Sequence, residues 1–101
     1  MSKGNSPKTI NRKLGDLRGI GPAMLRDFEV LGVHSVDQLA DHDGGELYER
    51  LNELAGIRHD PCVLDTFHCA VAQARNPYLA DEQKNWWFWS RKRLAGARKR
   101  A

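Results

Sequence analysis

Apolar residues recur every three or four positions along most of this chain, which is the spacing of one face of an α-helix. The longest such run lies in the second half of the chain and comprises Val63, Phe67, Ala70, Val71 and Ala74. No segment alternates apolar and polar residues for long enough to indicate a strand. The pattern therefore predicts an all-α protein, folded as a compact domain of five to six helices.

Glycine and proline mark the ends of the first helices. We expect a first helix from about residue 8 to residue 17, which Gly19 and Gly21 end. Pro22 is well placed to begin the second helix, because the first helical residue needs no N–H group. Gly32 is expected to end that helix, since glycine tolerates the left-handed conformation common after a helix C-terminus.

Capping signals mark the remaining helices. Ser35 and Gln38 have the spacing of a capping box, which predicts a short third helix over residues 36–40. After a loop at residues 41–45, a fourth helix is expected to end at Gly56. The last two helices are expected between Asp60-Pro61 and Asn76-Pro77, and from about Asp81 onward.

The sequence predicts one domain with polar segments at both ends. Residues 1–7 are predicted to be disordered, residues 8–93 to form the helical domain, and residues 94–101 to be a basic tail. No apolar run is long enough for a signal peptide or for the roughly 20 residues that a membrane span needs. The resulting expectation is a cytoplasmic protein without a membrane partner.

Charge is distributed unevenly along the chain. The formal net charge is +3 and the pI is about 9.1. Residues 1–13 carry four basic side chains and residues 91–101 carry six, and neither end contains an acid. The middle of the chain has six basic against thirteen acidic residues, a net charge of −7. Overall basicity is therefore weak support for a nucleic-acid-binding body.

The segment around Gly19 and Gly21 is the best candidate for chemistry. Two glycines permit a tight turn and a close approach of the backbone to a ligand. The N-terminus of the following helix offers free N–H groups and a partial positive charge, which suit a phosphate. Such a site contacts the nucleic-acid backbone and does not read its sequence.

Residues 14–31 resemble a helix-hairpin-helix motif, through the turn Leu17-Arg18-Gly19-Ile20-Gly21 and the helix that follows it. The resemblance implies that amides around Gly19, Gly21 and Ala23 face a phosphate, and that turn carbonyls hold a monovalent cation. It makes Lys13 and Arg18 the nearest supporting charges.

Two features of the chain depart from the helix-hairpin-helix motif. DNA-binding members commonly place Lys or Arg after the turn, where this chain has Pro22-Ala23-Met24, and Leu25 replaces a small alanine. The alternative is a tight helix–helix connection in a protein-interaction fold.

Residues 9–93 as a whole look like the pathogenicity-locus helix-hairpin-helix family, also described as mitomycin-resistance-protein-like. The resemblance rests on Gly19-Ile20-Gly21 with Gly32-Val33-His34-Ser35-Val36, on Leu47-Tyr48-Glu49-Arg50-Leu51, on Asp60-Pro61-Cys62-Val63-Leu64 with Cys69-Ala70-Val71, and on Trp86-Trp87-Phe88-Trp89. It implies a SAM-like helical fold but no settled activity. The hairpin with its Gly-Val-x-Ser-Val continuation is also similar to the C-terminal domains of competence regulators, so this unit need not contact DNA.

Four consecutive aromatic residues precede a basic cluster: Trp86, Trp87, Phe88 and Trp89 come before Arg91, Lys92 and Arg93. Consecutive helix positions spread over about 300° of the surface, so the four rings cannot all face one core. In one interpretation two or three rings cap the core. In another they form a stacking surface for nucleic acid or for a protein partner, and in a third they bind a membrane interface.

Other reactive residues do not form a convincing site. Cys62 and Cys69 would lie about 10 Å apart in one helix, whereas a disulfide needs less than about 7 Å. With His59 and His68 they could suggest zinc, but their directions diverge around the helix, and we expect buried cysteines and a surface histidine instead. The acidic residues at positions 41–46 do not follow a calcium-loop pattern. No catalytic residue, metal site or enzymatic activity is expected.

Two hypotheses follow, and the oligomeric state stays open. The first is a non-enzymatic module that binds DNA without sequence preference. Its expected contacts are Lys13, Arg18, Gly19, Ile20, Gly21, Pro22 and Ala23 in the hairpin, with Arg91, Lys92 and Arg93 near the C-terminus. The alternative is a protein-interaction adaptor that uses Trp86, Trp87 and Trp89, with the hairpin as a scaffold.

Overall fold

A computed structural model describes residues 12–100 of the chain, with side chains for residues 12–96. Five α-helices account for most of this range, and a short 3₁₀ helix precedes the first and the last of them. The order is a 3₁₀ helix Leu14–Asp16, α1 Pro22–Leu31, α2 Val36–Ala40, α3 Gly44–Ala55, α4 Pro61–Arg75, a 3₁₀ helix Asp81–Lys84, and α5 Trp86–Arg100. Residues 12–100 contain no strand, so the predicted all-α fold is confirmed.

Helix α1 begins and ends as the sequence predicts. Pro22 is its first residue, and Gly21 is the N-cap in an extended conformation. Gly32 follows the last residue with a φ of 77°, a left-handed conformation that glycine adopts without strain. Helix α2 is capped by Ser35, whose hydroxyl accepts a hydrogen bond from the backbone N–H of Gln38 at 3.1 Å. These local signals therefore place both helices correctly.

The predicted first helix is wrong over its described part. Residues 12–13 have no regular secondary structure, Lys13 is extended, and only Leu14–Asp16 form a single 3₁₀ turn. The physical reason is local, because the Asp16 carboxylate accepts a hydrogen bond from the backbone N–H of Lys13 at 2.8 Å and closes the turn early. Residues 8–11 of that prediction, and the disorder predicted for residues 1–7, lie outside the described residues.

The later boundaries differ from the prediction in smaller ways. Helix α3 begins at Gly44, inside the expected loop, because Asp43 accepts a hydrogen bond from the N–H of Glu46 and acts as its N-cap. The last α-helix begins at Trp86 after the 3₁₀ turn, and it continues to Arg100. The expected boundary between domain and tail, at residues 93 and 94, therefore falls within one continuous helix.

Helix α4 is the centre of the fold, and α2, α3 and α5 all pack against it. Phe67 on α4 is fully buried and contacts Phe28 of α1, with ring centroids 5.7 Å apart. Gly44 lies so close to α4 that an added Cβ would be 2.6 Å from His68 Nδ1 and 2.9 Å from the His68 backbone. Glycine at this position allows α3 to begin against α4.

Helix α5 is attached to α4 by polar and aromatic contacts. The Asp65 side chain is completely buried and accepts hydrogen bonds at 3.0 Å from both Nε and Nη2 of Arg93. The Trp89 ring stacks on His68 with centroids 6.4 Å apart, and its Nε1–H donates to the Gln83 carbonyl at 2.9 Å. Across the described range, no helix is long and apolar enough to cross a membrane.

Candidate nucleic-acid interface

The turn before α1, residues 17–21, is built on two buried side chains. Leu17 and Ile20 both belong to the core, and the Ile20 N–H donates to the Leu17 carbonyl at 3.3 Å. Gly19 lies between them with a φ of 88°, in the left-handed region that costs other residues about 1–2 kcal/mol. The apolar residues therefore fix the turn to the core, while Gly19 supplies the reversal of the backbone.

Gln73 of α4 also fixes this turn. Its Oε1 accepts a hydrogen bond from the backbone N–H of Arg18 at 2.9 Å, and its Nε2 donates to the Arg18 carbonyl at 3.0 Å. The Gln73 side chain is buried, so water competes poorly for these two bonds. One amide thus satisfies both backbone groups of Arg18 and orders the turn.

The N-terminus of α1 is open to solvent. Gly21, Pro22 and Ala23 are exposed, and no side chain caps the helix. The N–H groups of Ala23 and Met24 have no carbonyl to bond within the helix. A Cβ added at Gly21 would have no heavy atom within 4 Å. The arrangement presents two N–H donors at the positive end of a helix dipole, with space for a phosphate in front of them.

The two cations expected beside the turn have different environments. Lys13 is exposed, and only its backbone bonds to Asp16. The Arg18 guanidinium instead points towards the second 3₁₀ helix, where it donates to the Asp81 carbonyl at 3.2 Å and to Asn85 Oδ1 at 3.3 Å. The structure therefore leaves the Lys13 side chain exposed shortly before the turn but directs the Arg18 side chain elsewhere.

The three basic residues expected near the C-terminus all have intramolecular contacts. Arg91 lies 3.4 Å from Glu82, and Lys92 Nζ lies 5.2 Å from the centroid of the Trp89 ring. The hydrogen bonds of Arg93 to Asp65 raise the pKa of its guanidinium and hold it against α4. Arg93 is therefore not available to a ligand, because the buried carboxylate of Asp65 needs a partner.

The aromatic cluster divides into exposed and half-buried rings. Trp86 and Trp87 are exposed by 38% and 47%, and their rings form an edge-to-face pair with centroids 6.1 Å apart. Phe88 and Trp89 are half-buried and also meet edge to face, at 5.4 Å. Only part of the cluster therefore covers the fold, and Trp86 with Trp87 remains as an exposed pair.

Two residues that bear on this interface were not identified from the sequence. Gln73 is buried on an apolar helix face, where a polar residue suggests a structural hydrogen bond, but its partner cannot be read from spacing. Arg26 is exposed and lies one turn after Pro22, so it shares the helix face on which α1 begins. That i, i+4 spacing could have identified Arg26 as a cation near the turn.

The thiol and histidine residues do not converge. Within residues 12–96, no three His, Cys, Asp or Glu side chains are placed to hold a metal ion. Cys69 is buried, but Cys62 is exposed, which corrects the expectation of two buried cysteines. A hydrogen bond with Asp60 raises the pKa of the Cys62 thiol, and burial raises that of Cys69. Neither environment favours the thiolate that metal binding or nucleophilic attack requires.

Comparisons with known proteins support the family resemblance. The pathogenicity locus family matches residues 8–95 of the chain. A relative from Streptomyces lavendulae, named mitomycin resistance protein McrB, is 41% identical over 83 residues, which cover 80% of this chain and 75% of the relative. No solved structure matches the chain significantly. The family match covers most of the helical domain, including the turn and the aromatic cluster, and the chain belongs to the pathogenicity locus family.

Proposed function

We propose that this protein is a non-enzymatic module that binds DNA without sequence preference through the turn at residues 17–21 and the N-terminus of α1. The observation that carries the proposal is the open N-terminus of α1 behind a turn that is rigidly held. The N–H donors of Ala23 and Met24 have no carbonyl partner within the helix and Ala23 is exposed, whereas Gln73 and the buried Ile20 fix the backbone that precedes them. A preformed donor pair binds an anion without paying the entropy of ordering a loop.

The turn and α1 are consistent with the second half of a helix-hairpin-helix motif, which comprises the turn and the helix after it. Gly19 reverses the chain, Gly21 leaves space for a ligand, and α1 supplies the amide donors. The first arm is a 3₁₀ turn within the described residues, so the proposal rests on the turn and α1 alone. Contacts to phosphate made by backbone amides carry no base information, which is why we propose binding without sequence preference.

Lys13 and Arg26 are the cations that fit this proposal best. Both are exposed, and they flank the turn in sequence on either side. Arg18 and Arg93 are left out of the contact because their guanidinium groups lie elsewhere, that of Arg18 against the second 3₁₀ helix and that of Arg93 against Asp65 of α4. With few cations at the interface, we expect weak binding with a shallow dependence on salt, corresponding to about one to three neutralised phosphates.

The test is a fluorescence-anisotropy titration of a short DNA duplex with Gly21→Glu and Gly21→Ala. Neither the glutamate nor the alanine side chain would clash, since Gly21 has an ordinary φ of −102° and a Cβ added there has no heavy atom within 4 Å. The glutamate places a carboxylate near the donors, so we expect at least a tenfold loss of affinity, whereas alanine should stay within about threefold of wild type. Equal affinity of a folded Gly21→Glu protein would refute the contact.

The second candidate function is a protein-interaction adaptor, and the exposed Trp86–Trp87 pair favours it. Large exposed aromatic side chains are enriched at protein interfaces, where they supply most of the binding energy. The net charge of −7 between residues 14 and 90 also disfavours nucleic acid on the body of the protein. Loss of a co-purifying protein with Trp87→Ala, without a change in DNA affinity, would support the adaptor over the DNA-binding module.

A further inference from the structure

A small cationic cavity lies beside the segment that leads into the turn, and the proposed DNA contact does not use it. Its volume is about 180 Å³. Three parts of the chain contribute polar residues to its lining: Arg12, Asp16 and Arg18 in the segment up to the start of the turn, Gln73 and Asn76 at the end of α4, and Lys84 at the end of the second 3₁₀ helix. Residues more than 60 positions apart in sequence thus meet around one space.

The charges around this cavity favour an anion with two negative charges. Arg12, Arg18 and Lys84 contribute three positive charges and Asp16 one negative charge, which gives the lining a formal charge of +2. A phosphate monoester carries about −1.5 to −2 at neutral pH. The Asp81 carboxylate beside Arg18 and Lys84 offsets one positive charge of the lining. Once it is displaced, the lining matches a monoester more closely than an internal phosphodiester, which carries a single charge.

The exposed carboxylate of Asp81 does not line the cavity, but it shows where an anion oxygen contacts two of the lining cations. Its Oδ1 is 3.2 Å from Arg18 Nη2 and 3.8 Å from Lys84 Nζ, so the two cations converge on one oxygen atom. The Asp81 side chain is 84% exposed, and ion pairs of exposed groups contribute little. A ligand with higher charge can therefore displace this carboxylate at small cost.

Arg12 provides a third, fixed cation. Its Nη1 and Nη2 donate to the carbonyls of Gln73 and Ala74 at 2.9 and 3.3 Å, which hold the guanidinium at the C-terminus of α4. Its Nε is buried and has no hydrogen-bond partner among the described residues. Because that atom has almost no solvent-accessible surface, a ligand in the cavity would meet the positive charge of Arg12 and not its Nε.

The geometry points to a binding site for a phosphate monoester dianion, held by Arg12, Arg18 and Lys84 after displacement of the Asp81 side chain. At about 180 Å³ the cavity has room for a phosphate group, and it is open to solvent, so the rest of the ligand can extend outside it. The ligand is either a free phosphate compound or the terminal phosphate of a nucleic-acid strand. The site does not depend on the proposed contact at Gly21.

The test is an NMR titration of the full-length protein with inorganic phosphate, at constant ionic strength and with chloride as the competing anion. We expect saturable shifts of the Arg18 and Lys84 signals. Asp81→Asn removes the internal competitor and should tighten binding by about two- to fivefold. Lys84→Gln removes a cation that would contact the ligand and should weaken binding about tenfold or more. Arg50→Gln, at an exposed site on α3, is the matched control for net charge and should stay within about twofold.

The ligand source is decided by comparing oligonucleotides with a 5′-phosphate and a 5′-hydroxyl. Tighter binding of the phosphorylated strand, lost in Lys84→Gln, assigns the site to strand ends. Binding of inorganic phosphate without that preference supports the site and assigns it to small phosphate compounds. The proposal is overturned if neither wild type nor Asp81→Asn shows saturable shifts, or if Arg50→Gln weakens binding as much as Lys84→Gln. Because Gly21→Glu leaves this cavity intact, the two proposals can fail independently.

Discussion

Replacing Arg93 with methionine removes the partner of the most deeply buried charge in the described part of the protein. Asp65 has no exposed surface, and all of its side-chain hydrogen bonds come from Arg93, at 3.0 to 3.4 Å. Removing one partner of a buried ion pair typically costs 3–5 kcal/mol. The Arg93 side chain is 34% exposed, so solvent screening reduces the expected loss to about 2–3 kcal/mol.

The assay is urea denaturation followed by circular dichroism and tryptophan fluorescence, for Arg93→Met, Asp65→Leu and the double variant. Arg93→Met should lower the midpoint by about 1–2 M, given typical urea dependences for small domains. Asp65→Leu should cost less, because water can reach the freed guanidinium. The double variant should lie within about 1 kcal/mol of wild type, since an apolar pair leaves no buried charge. The expected coupling energy is therefore about 2 kcal/mol.

The reasoning about this pair fails if Arg93→Met costs less than about 0.5 kcal/mol, or if the two single losses simply add in the double variant. The pair also affects how the C-terminus can be tested. A truncation before Arg93 would remove the partner of Asp65 and destabilise the fold together with any ligand contact. Substitution of the basic residues at positions 98–100 by glutamine avoids this problem, because it leaves Arg93 in place.

Three further predictions concern packing, the turn and pH. Gly44→Ala should destabilise the protein by about 1–3 kcal/mol in urea, because its Cβ would lie 2.9 Å from backbone atoms of His68. Gln73→Leu should cost about 1–3 kcal/mol and speed hydrogen exchange at Arg18, whose buried bond is lost. Hydrogen bonds from the first turn of α4 lower the pKa of Asp60, so its stabilising effect is present above its ordinary value and is lost as the pH falls through the lowered value. Unfolding midpoints measured from pH 6 to pH 2 should therefore fall more steeply for wild type than for Asp60→Asn.

The parts of the fold that the sequence predicts are those decided by neighbouring residues. Pro22 and Gly32 bound α1, and Ser35 caps α2, because each acts on backbone groups within a few positions. The exception is also local, since Asp16 bonds to the Lys13 N–H and shortens the first helix to a 3₁₀ turn. A pattern of apolar spacing alone does not distinguish that turn from the start of a longer helix.

The parts that the sequence does not predict depend on contacts between distant residues. Gln73 bonds to a residue 55 positions away, and Arg93 to one 28 positions away. No spacing rule relates such pairs. From the sequence alone, an arginine in a basic cluster is therefore interpreted as available for a ligand even when it is bonded within the protein. For the same reason, the convergence of Arg12, Arg18 and Lys84 is visible only in three dimensions.

The most direct test of the proposed DNA contact is a backbone-amide NMR titration of the ¹⁵N-labelled protein with a short duplex at low salt. The account predicts that the largest shift changes occur at Ala23 and Met24, with smaller ones at Gly19 and Gly21, and that Gly21→Glu abolishes them. Unchanged amides at Ala23 and Met24, with shifts confined to the indole groups of Trp86 and Trp87, would contradict the account and favour the exposed aromatic pair as the binding surface.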